Sequence, residues 1–407
     1  MRLLDDARDL ADDLTDLRHR LHERPELGLH LPRTQATVLA ALEGLDLEVT
    51  TGRSSTSVTA VLRGGATGAT PGPAPVVLLR GDKDALPVHE ELDVPFRSRV
   101  DGVMHACGHD LHTAMLAGAA RLLVARRDEL PGDVVLMFQP GEEGHDGAGH
   151  MIAEGVLDAA GRRPDAAFAL HVMSNLTTRG VVASRAGAVM AASDGVFVTV
   201  RGQGGHGSAP HGARDPIPAA CAMVLALQTA MTRRLDPFAT AVLTVGTFHA
   251  GTQRNIIPAT ATFEATVRTF DPAVRAVLAH AVEEVCRGVA AAHGVEVDVA
   301  FRAEYPVTVN DPAETRFAMD TARALFGAGH ALDLLHPLTG SEDFSRVVAE
   351  VPGAMLFLGA LPDGTDPATA PSNHAPQAAF DDDVLPLGAA LYAQLAVGRL
   401  ALAPPAA

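Results

Sequence analysis

An α/β fold with a mostly parallel sheet, interrupted by an inserted α+β domain, is expected from three features of the chain. Its 407 residues exceed what one hydrophobic core usually serves, so two domains are expected. Strand and helix signals alternate through the first half, as they do where helices cover a parallel sheet. From about residue 187 the order becomes βαββαβ, that of a ferredoxin-like unit.

The acidic, amphipathic MRLLDDARDLADDL starts a helix. VVLLRG at 76–81 is an apolar run of strand length, and a helical run at 111–126, strand VVLMFQ at 134–139, a short helix at 147–154 and strand AFALHV at 167–172 follow it. GGATGATPGPAP at 64–75 lacks periodicity and is rich in breakers, so it is expected to be an exposed loop. The inserted unit comprises strand 196–201, helix 215–232, strands 240–249 and 260–270, helix 272–292 and strand 295–302. Beyond 303 the signals lead to HPLTGSEDFS at 336–345 and NHAPQ at 373–377, which read as active-site loops. Domains are therefore expected at 1–186 with 303–407, and at 187–302. No internal repeat is present, and APPAA at the end is expected to fray.

Apolar residues at 47% and charged ones at 20% make the composition globular. A net charge of −17 argues against nucleic acid and anionic membranes as partners, because both would repel the chain. No apolar run approaches the ~20 residues that span a bilayer, so a cytoplasmic protein is expected. Cys107, Cys221 and Cys286 are too few and too scattered for a disulfide framework, which fits a reducing compartment.

MHACGHDLHTAM at 104–115 and FQPGEEGHDGAGH at 138–150 crowd imidazoles, a thiol and carboxylates into a short span. Soft and borderline ligands such as Cys107 and His109, followed by Glu142 and Glu143, suit zinc, cobalt, nickel or manganese. A buried structural cysteine beside a helix-capping histidine is the competing explanation for the first pair. The helical spacing of His105, His109 and His112 invites a zinc-protease HExxH reading, but Ala106 stands where the glutamate must be. His105 and His112 are therefore assigned to packing or support. Glu142 and Glu143 follow a strand and Pro140-Gly141, and are expected to point in different directions, one as ligand and one as general base. Asp82 and Asp84 belong to the same sheet edge, where an aspartate could orient a ligand histidine or merely face solvent. His171 and His374 are lone histidines whose position alone does not make them ligands. His206 sits in the glycine-rich RGQGGHGSAPH at 201–211, where close backbone approach is possible. Asn255 in TQRNIIP and Arg268 in ATVRTF are oddly placed polar residues. Such an arginine either pairs with an acid or grips a substrate carboxylate.

Taken together, LRGDKDALP, MHACGHDLHTAM, FQPGEEG, ALHV, GQGGHGSAPH, NIIP, TVRTF and GSEDFS resemble, in order, the dinuclear metallopeptidase family of aminoacylases and glutamate carboxypeptidases. The likeness runs from RHRLHERPELG at 18–28 to NHAPQAAFDDD at 373–383. It is strongest to the amidohydrolase subfamily of hippurate hydrolases, N-acyl-L-amino-acid amidohydrolases and auxin-conjugate hydrolases. The resemblance implies two divalent metal ions per subunit, held by Cys107, His109, Glu143, His171 and His374, with Glu142 as general base and Asp84 orienting the site. It also implies that the inserted domain is a lid and dimerisation domain in a homodimer or homotetramer. His206 would then stabilise the oxyanion in the partner's site, while Asn255 and Arg268 contact the substrate carboxylate. The implied substrate is a small N-acyl amino acid. A dipeptidase or carboxypeptidase on the same scaffold is the alternative, and a non-catalytic binding protein would have no need of Glu142. Gly141, Leu111 and Lys83 depart from the residues usual at their positions.

Overall fold

The computed structural model describes residues 2–66 and 74–402. Most of the loop expected at 64–75, namely 67–73, and the tail at 403–407 lie outside the described residues. The chain divides into two compact units. One comprises Met1–Val189, Val309–His336 and Asp343–Ala407, the other Met190–Thr308 and Pro337–Glu342.

In the first unit, an eight-stranded sheet runs in the order Glu48–Thr51, Val58–Leu62, Asp133–Gln139, Val76–Asp82, Ala166–Met173, Gly353–Gly359, Val182–Ser184 and Ala331–Asp333. The central strands 133–139, 76–82, 166–173 and 353–359 are mutually parallel, so their carboxyl ends share one edge. Antiparallel pairings flank them. The central strands are buried almost end to end, which is why they appear in the sequence as continuous apolar runs. Helices His109–Val124 and Val384–Leu400, both nearly all buried, pack against each other and the sheet.

Helix 109–124 begins two residues before the expected start. Gly108 enters it at φ +84°, and a Cβ there would lie 2.3 Å from Val172 Cγ2. Only glycine permits this approach, which places His109 on the first turn beside the strand that carries His171.

The second unit has the chain order strand, helix, strand, strand, helix, strand. Its antiparallel sheet runs Ala241–Ala250, Thr260–Thr269, Ala192–Arg201 and Glu296–Tyr305. Helices Pro216–Arg233 and Pro272–His293 pack on it, and Thr260–Thr269 alternates buried and open positions, as a sheet covered on one face must. Both helices start at an Asp-Pro pair whose aspartate caps a backbone amide: Asp215 accepts from Ile217 N at 3.0 Å and Asp271 from Ala273 N at 2.6 Å. The unit extends past the expected limit of 302. It also takes in Pro337–Glu342, because the Ala191 amide donates to Leu338 O at 3.2 Å and Gly340 O at 2.9 Å. No sequence periodicity announces such a return.

Candidate metal centre

The carboxyl edge of the central strands in the first unit gathers the expected ligand residues, as open α/β sheets tend to do. Cys107 Sγ lies 3.4 Å from His171 Nε2 and 3.2 Å from His374 Nε2. Glu143 Oε1 is 3.3 Å from His374 Nε2 and 4.0 Å from His109 Nε2. Ligand-type atoms of Cys107, His109 and His171, of Cys107, Glu143 and His374, and of His109, Glu142 and Glu143 each lie within 4.8 Å of one another. Glu142 and Glu143 therefore converge, contrary to the expected divergence. The reason is backbone geometry: Gly141 at φ +71° breaks the extended alternation, and the Gly144 amide closes on Glu142 O at 2.7 Å. The glycine that departs from the family pattern occupies a left-handed conformation that an alanine adopts only with strain.

Two of the imidazoles, His109 and His171, are oriented by their other ring nitrogen. His109 Nδ1 donates to Asp84 O at 2.9 Å and His171 Nδ1 to Val172 O at 2.8 Å, so Nε2 faces the centre in both. Burial, followed by the nearby His112 ring, holds His171 well below the usual histidine range. His109 is raised despite its burial, because Asp82 and Cys107 favour the charged ring. His374, at φ +72°, is anchored by its amide to Ala106 O at 2.9 Å and pushed up to about 10 by hydrogen bonds with Cys107 and Glu143.

His109 Nδ1 lies 3.4 Å from the carboxylate of Asp84. The two oxygens of that carboxylate accept the backbone amides of Glu142 at 3.1 Å and Glu143 at 3.0 Å, and the Asp84 backbone carbonyl accepts a hydrogen bond from His109 Nδ1. The aspartate that accepts an imidazole N–H is Asp82, from His112 Nδ1, while His112 Nε2 accepts the Val172 amide at 2.7 Å. His112 is therefore support, as expected. His105 is buried, and among the described residues neither ring nitrogen has a hydrogen-bond partner.

Two supporting groups carry little signal in the sequence. Fully buried Arg80 binds Asp82 at 2.6 Å, Gln139 at 2.8 Å and Asp343 at 2.9 Å, fixing the ends of two strands. An arginine inside VVLLRG was its signal. Asn373 donates to Cys107 O at 3.2 Å and Val172 O at 3.0 Å, joining both ligand segments beside His374. Its signal was adjacency to the histidine, which alone says little.

In the second unit, the segments carrying His206 and Asn255 meet in a short antiparallel pairing: His206 pairs with Ile256, and the Gly207 amide donates to Asn255 O at 2.9 Å. Half-buried Arg268 donates to Ser193 Oγ, and the neighbouring Asp194 is engaged by Arg275. Burial lowers Arg268 from its ordinary value against the pull of Glu304 and Asp194.

The donor set fits a divalent transition metal. Buried His109 Nε2 has no hydrogen-bond partner among the described residues, although it faces other ligand-type atoms. Buried polar atoms are rarely left so, and a cation bonds lone pairs that cannot bond one another.

Lys83 is fully buried, and its Nζ has no hydrogen-bond partner among the described residues. Burial brings it down to about 7, against the opposing pull of Asp84 and Glu26. Below pH 7 the amine is charged in both folded and unfolded chains, and its full burial cost applies. Between about 7 and the ordinary 10.5 the unfolded chain binds the extra proton, so stability rises with pH. Lys83→Met is expected to stabilise the fold by a few kcal/mol below pH 7, with the advantage shrinking towards pH 10.5. Denaturant midpoints of both proteins across that range check this, and parallel pH curves would contradict it.

Residues 78–397 match the model of Peptidase family M20/M25/M40. Thermostable carboxypeptidase 2 of Saccharolobus solfataricus is 37% identical over 400 residues, covering 97% of this chain and 98% of its own. Hippurate hydrolase of Campylobacter jejuni is 36% identical over 400 residues, covering 98% and 100%. The crystal structure of a dinuclear metal binding peptidase of the M20 family from Bacillus subtilis superposes with a TM-score of 0.80 at 31% identity, covering 97% of this chain and 99% of that one. With this match across both units and the cluster of ligand-type residues at the sheet edge, the chain belongs to peptidase family M20/M25/M40.

Proposed function

We propose that this protein is a metal-dependent amidohydrolase that cleaves the amide bond between an acyl group and an amino acid. The observation that carries this reading is the convergence of Cys107, His109, Glu143, His171 and His374 beside buried Glu142, whose backbone is held by Asp84. The similarity to hippurate hydrolase, whose name specifies an N-acyl amino acid, supports the substrate class.

Cys107, His109, Glu143, His171 and His374 would hold two divalent ions, which when bound polarise the scissile carbonyl and lower the pKa of water towards ~7. Glu142 accepts a proton from the attacking water as its oxygen bonds to the carbonyl carbon. Glu142 then delivers that proton to the amide nitrogen as the C–N bond breaks. Asp84 keeps the Glu142 and Glu143 backbones in place. The second unit serves as a ferredoxin-like lid and dimerisation domain, with domain limits near 187 and 302. From it His206 donates a hydrogen bond to the oxyanion in the partner's site, and Asn255 and Arg268 bind the substrate carboxylate. The protein works as a homodimer or homotetramer in the cytoplasm, where its three free cysteines stay reduced. Among the described residues no helix is long and apolar enough to cross a membrane.

A panel of N-acetyl, N-benzoyl and indole-acetyl amino acids, assayed with each of several added metals beside free dipeptides and blocked peptides, tests the reading. Higher kcat/KM on the peptides would favour the carboxypeptidase or dipeptidase alternative, to which the similarity to thermostable carboxypeptidase 2 lends weight. Glu143→Gln and His374→Ala are each expected to lower metal content as well as rate. Full occupancy by elemental analysis after dialysis would remove both from the ligand set.

A further inference from the structure

The loop that carries His206 is built to hold one ring in one protonation pattern. Gly205 and His206 pair with Ile257 and Ile256, and the base of the loop is closed by reciprocal bonds between Gln203 and Arg214 at 2.8 and 3.0 Å. A Cβ on Gly207 would sit 3.2 Å from Asn255 backbone atoms, so a glycine is what lets the two arms close this tightly. The Ala209 amide donates back to His206 O at 2.8 Å, which curls Ser208 over the imidazole. Ser208 then meets the ring twice: its amide donates to His206 Nδ1 at 3.2 Å, and its hydroxyl lies 2.8 Å from the same nitrogen.

A backbone amide has no lone pair to offer, so the direction of the first bond is settled and Nδ1 is the acceptor. A neutral imidazole that accepts at Nδ1 carries its proton on Nε2. The hydroxyl, facing the same lone pair, donates to it as well. His206 is exposed, so this Nε2–H is available to a ligand.

We propose that Ser208 is a positioning residue, which through its hydroxyl and amide sets the Nε2–H tautomer of His206 so that the ring acts as a neutral hydrogen-bond donor. The proposal rests on the reading of His206 as the oxyanion donor. No proton is transferred: Nε2 keeps its hydrogen while charge develops on the substrate oxygen. The opposite tautomer would turn a lone pair towards that oxygen and repel it.

The test is long-range proton–nitrogen NMR of the metal-loaded enzyme labelled with 15N-histidine, at a pH where the ring is neutral. His206 resonances are identified by their loss in His206→Ala. Wild type is expected to show Nε2 protonated. Ser208→Ala, which loses the 2.8 Å hydroxyl contact and keeps only the longer 3.2 Å amide bond to Nδ1, should show a share of the Nδ1–H form, with kcat on an N-acyl amino acid reduced about 3–10-fold and KM little changed. Ser208→Thr, which restores a hydroxyl, should recover both signals. An Nδ1–H ring in wild type, or a tautomer or kcat unchanged in Ser208→Ala, would overturn the assignment. Failure of the amidohydrolase reading would appear separately, as a wild-type enzyme that turns over no N-acyl amino acid while its NMR comparison stays readable.

Discussion

Glu142→Gln is expected to bind metal at wild-type stoichiometry and to lose roughly 10²–10⁴-fold or more in kcat. The amide side chain keeps the size and much of the polarity of the carboxylate but has no basic oxygen to take the proton from water. The change replaces none of Cys107, His109, Glu143, His171 and His374, and the Glu142 amide bond to Asp84 is a backbone contact that survives it. Elemental analysis together with steady-state rates separates the outcomes. Residual activity above a few per cent would remove Glu142 from the base role. Loss of metal with loss of rate would instead make Glu142 a ligand, an outcome given substance by its approach to His109 and Glu143.

His206→Ala should cost roughly 10²–10³ in kcat, the usual effect of losing one oxyanion donor. If the histidine acts across a dimer, mixing inactive Glu142→Gln subunits with inactive His206→Ala subunits restores activity. A mixed dimer has one site in which an intact Glu142 meets an intact His206 from its partner. With equal amounts and random exchange, half of the dimers are mixed and each has one working site, so recovery approaches about a quarter of wild type. Absence of recovery after verified subunit exchange, or a fully active monomer in sedimentation, would leave His206 without a role in trans.

Much of the scaffold was legible because its signals are local. Strands 76–82, 133–139 and 166–173 are buried almost end to end and therefore appear as apolar runs, interrupted by few polar residues such as Arg80 and His171. In the second unit, Asp-Pro at 215–216 and 271–272 marks helix starts because aspartate caps the amides while proline loses no needed donor. Supporting contacts were harder to see. Arg80 reaches Asp343 across 263 positions, and Asn373 reaches Cys107 across 266, separations at which no periodicity links the partners.

The sequence by itself determined the α/β class, the order of elements, the ligand-type residues and, through the order of its motifs, the family. Local preference and motif spacing suffice for these, because each is written within a few consecutive residues. Only the tertiary structure decided that Glu142 and Glu143 converge, that the Asp84 carboxylate accepts two backbone amides, and that Asp82 bonds His112. It also decided that 337–342 groups with the second unit. These outcomes depend on where φ turns positive at Gly141 and on which distant backbone amide meets which oxygen. Hydrogen-bond geometry across the fold selects among partners that composition and spacing leave equivalent.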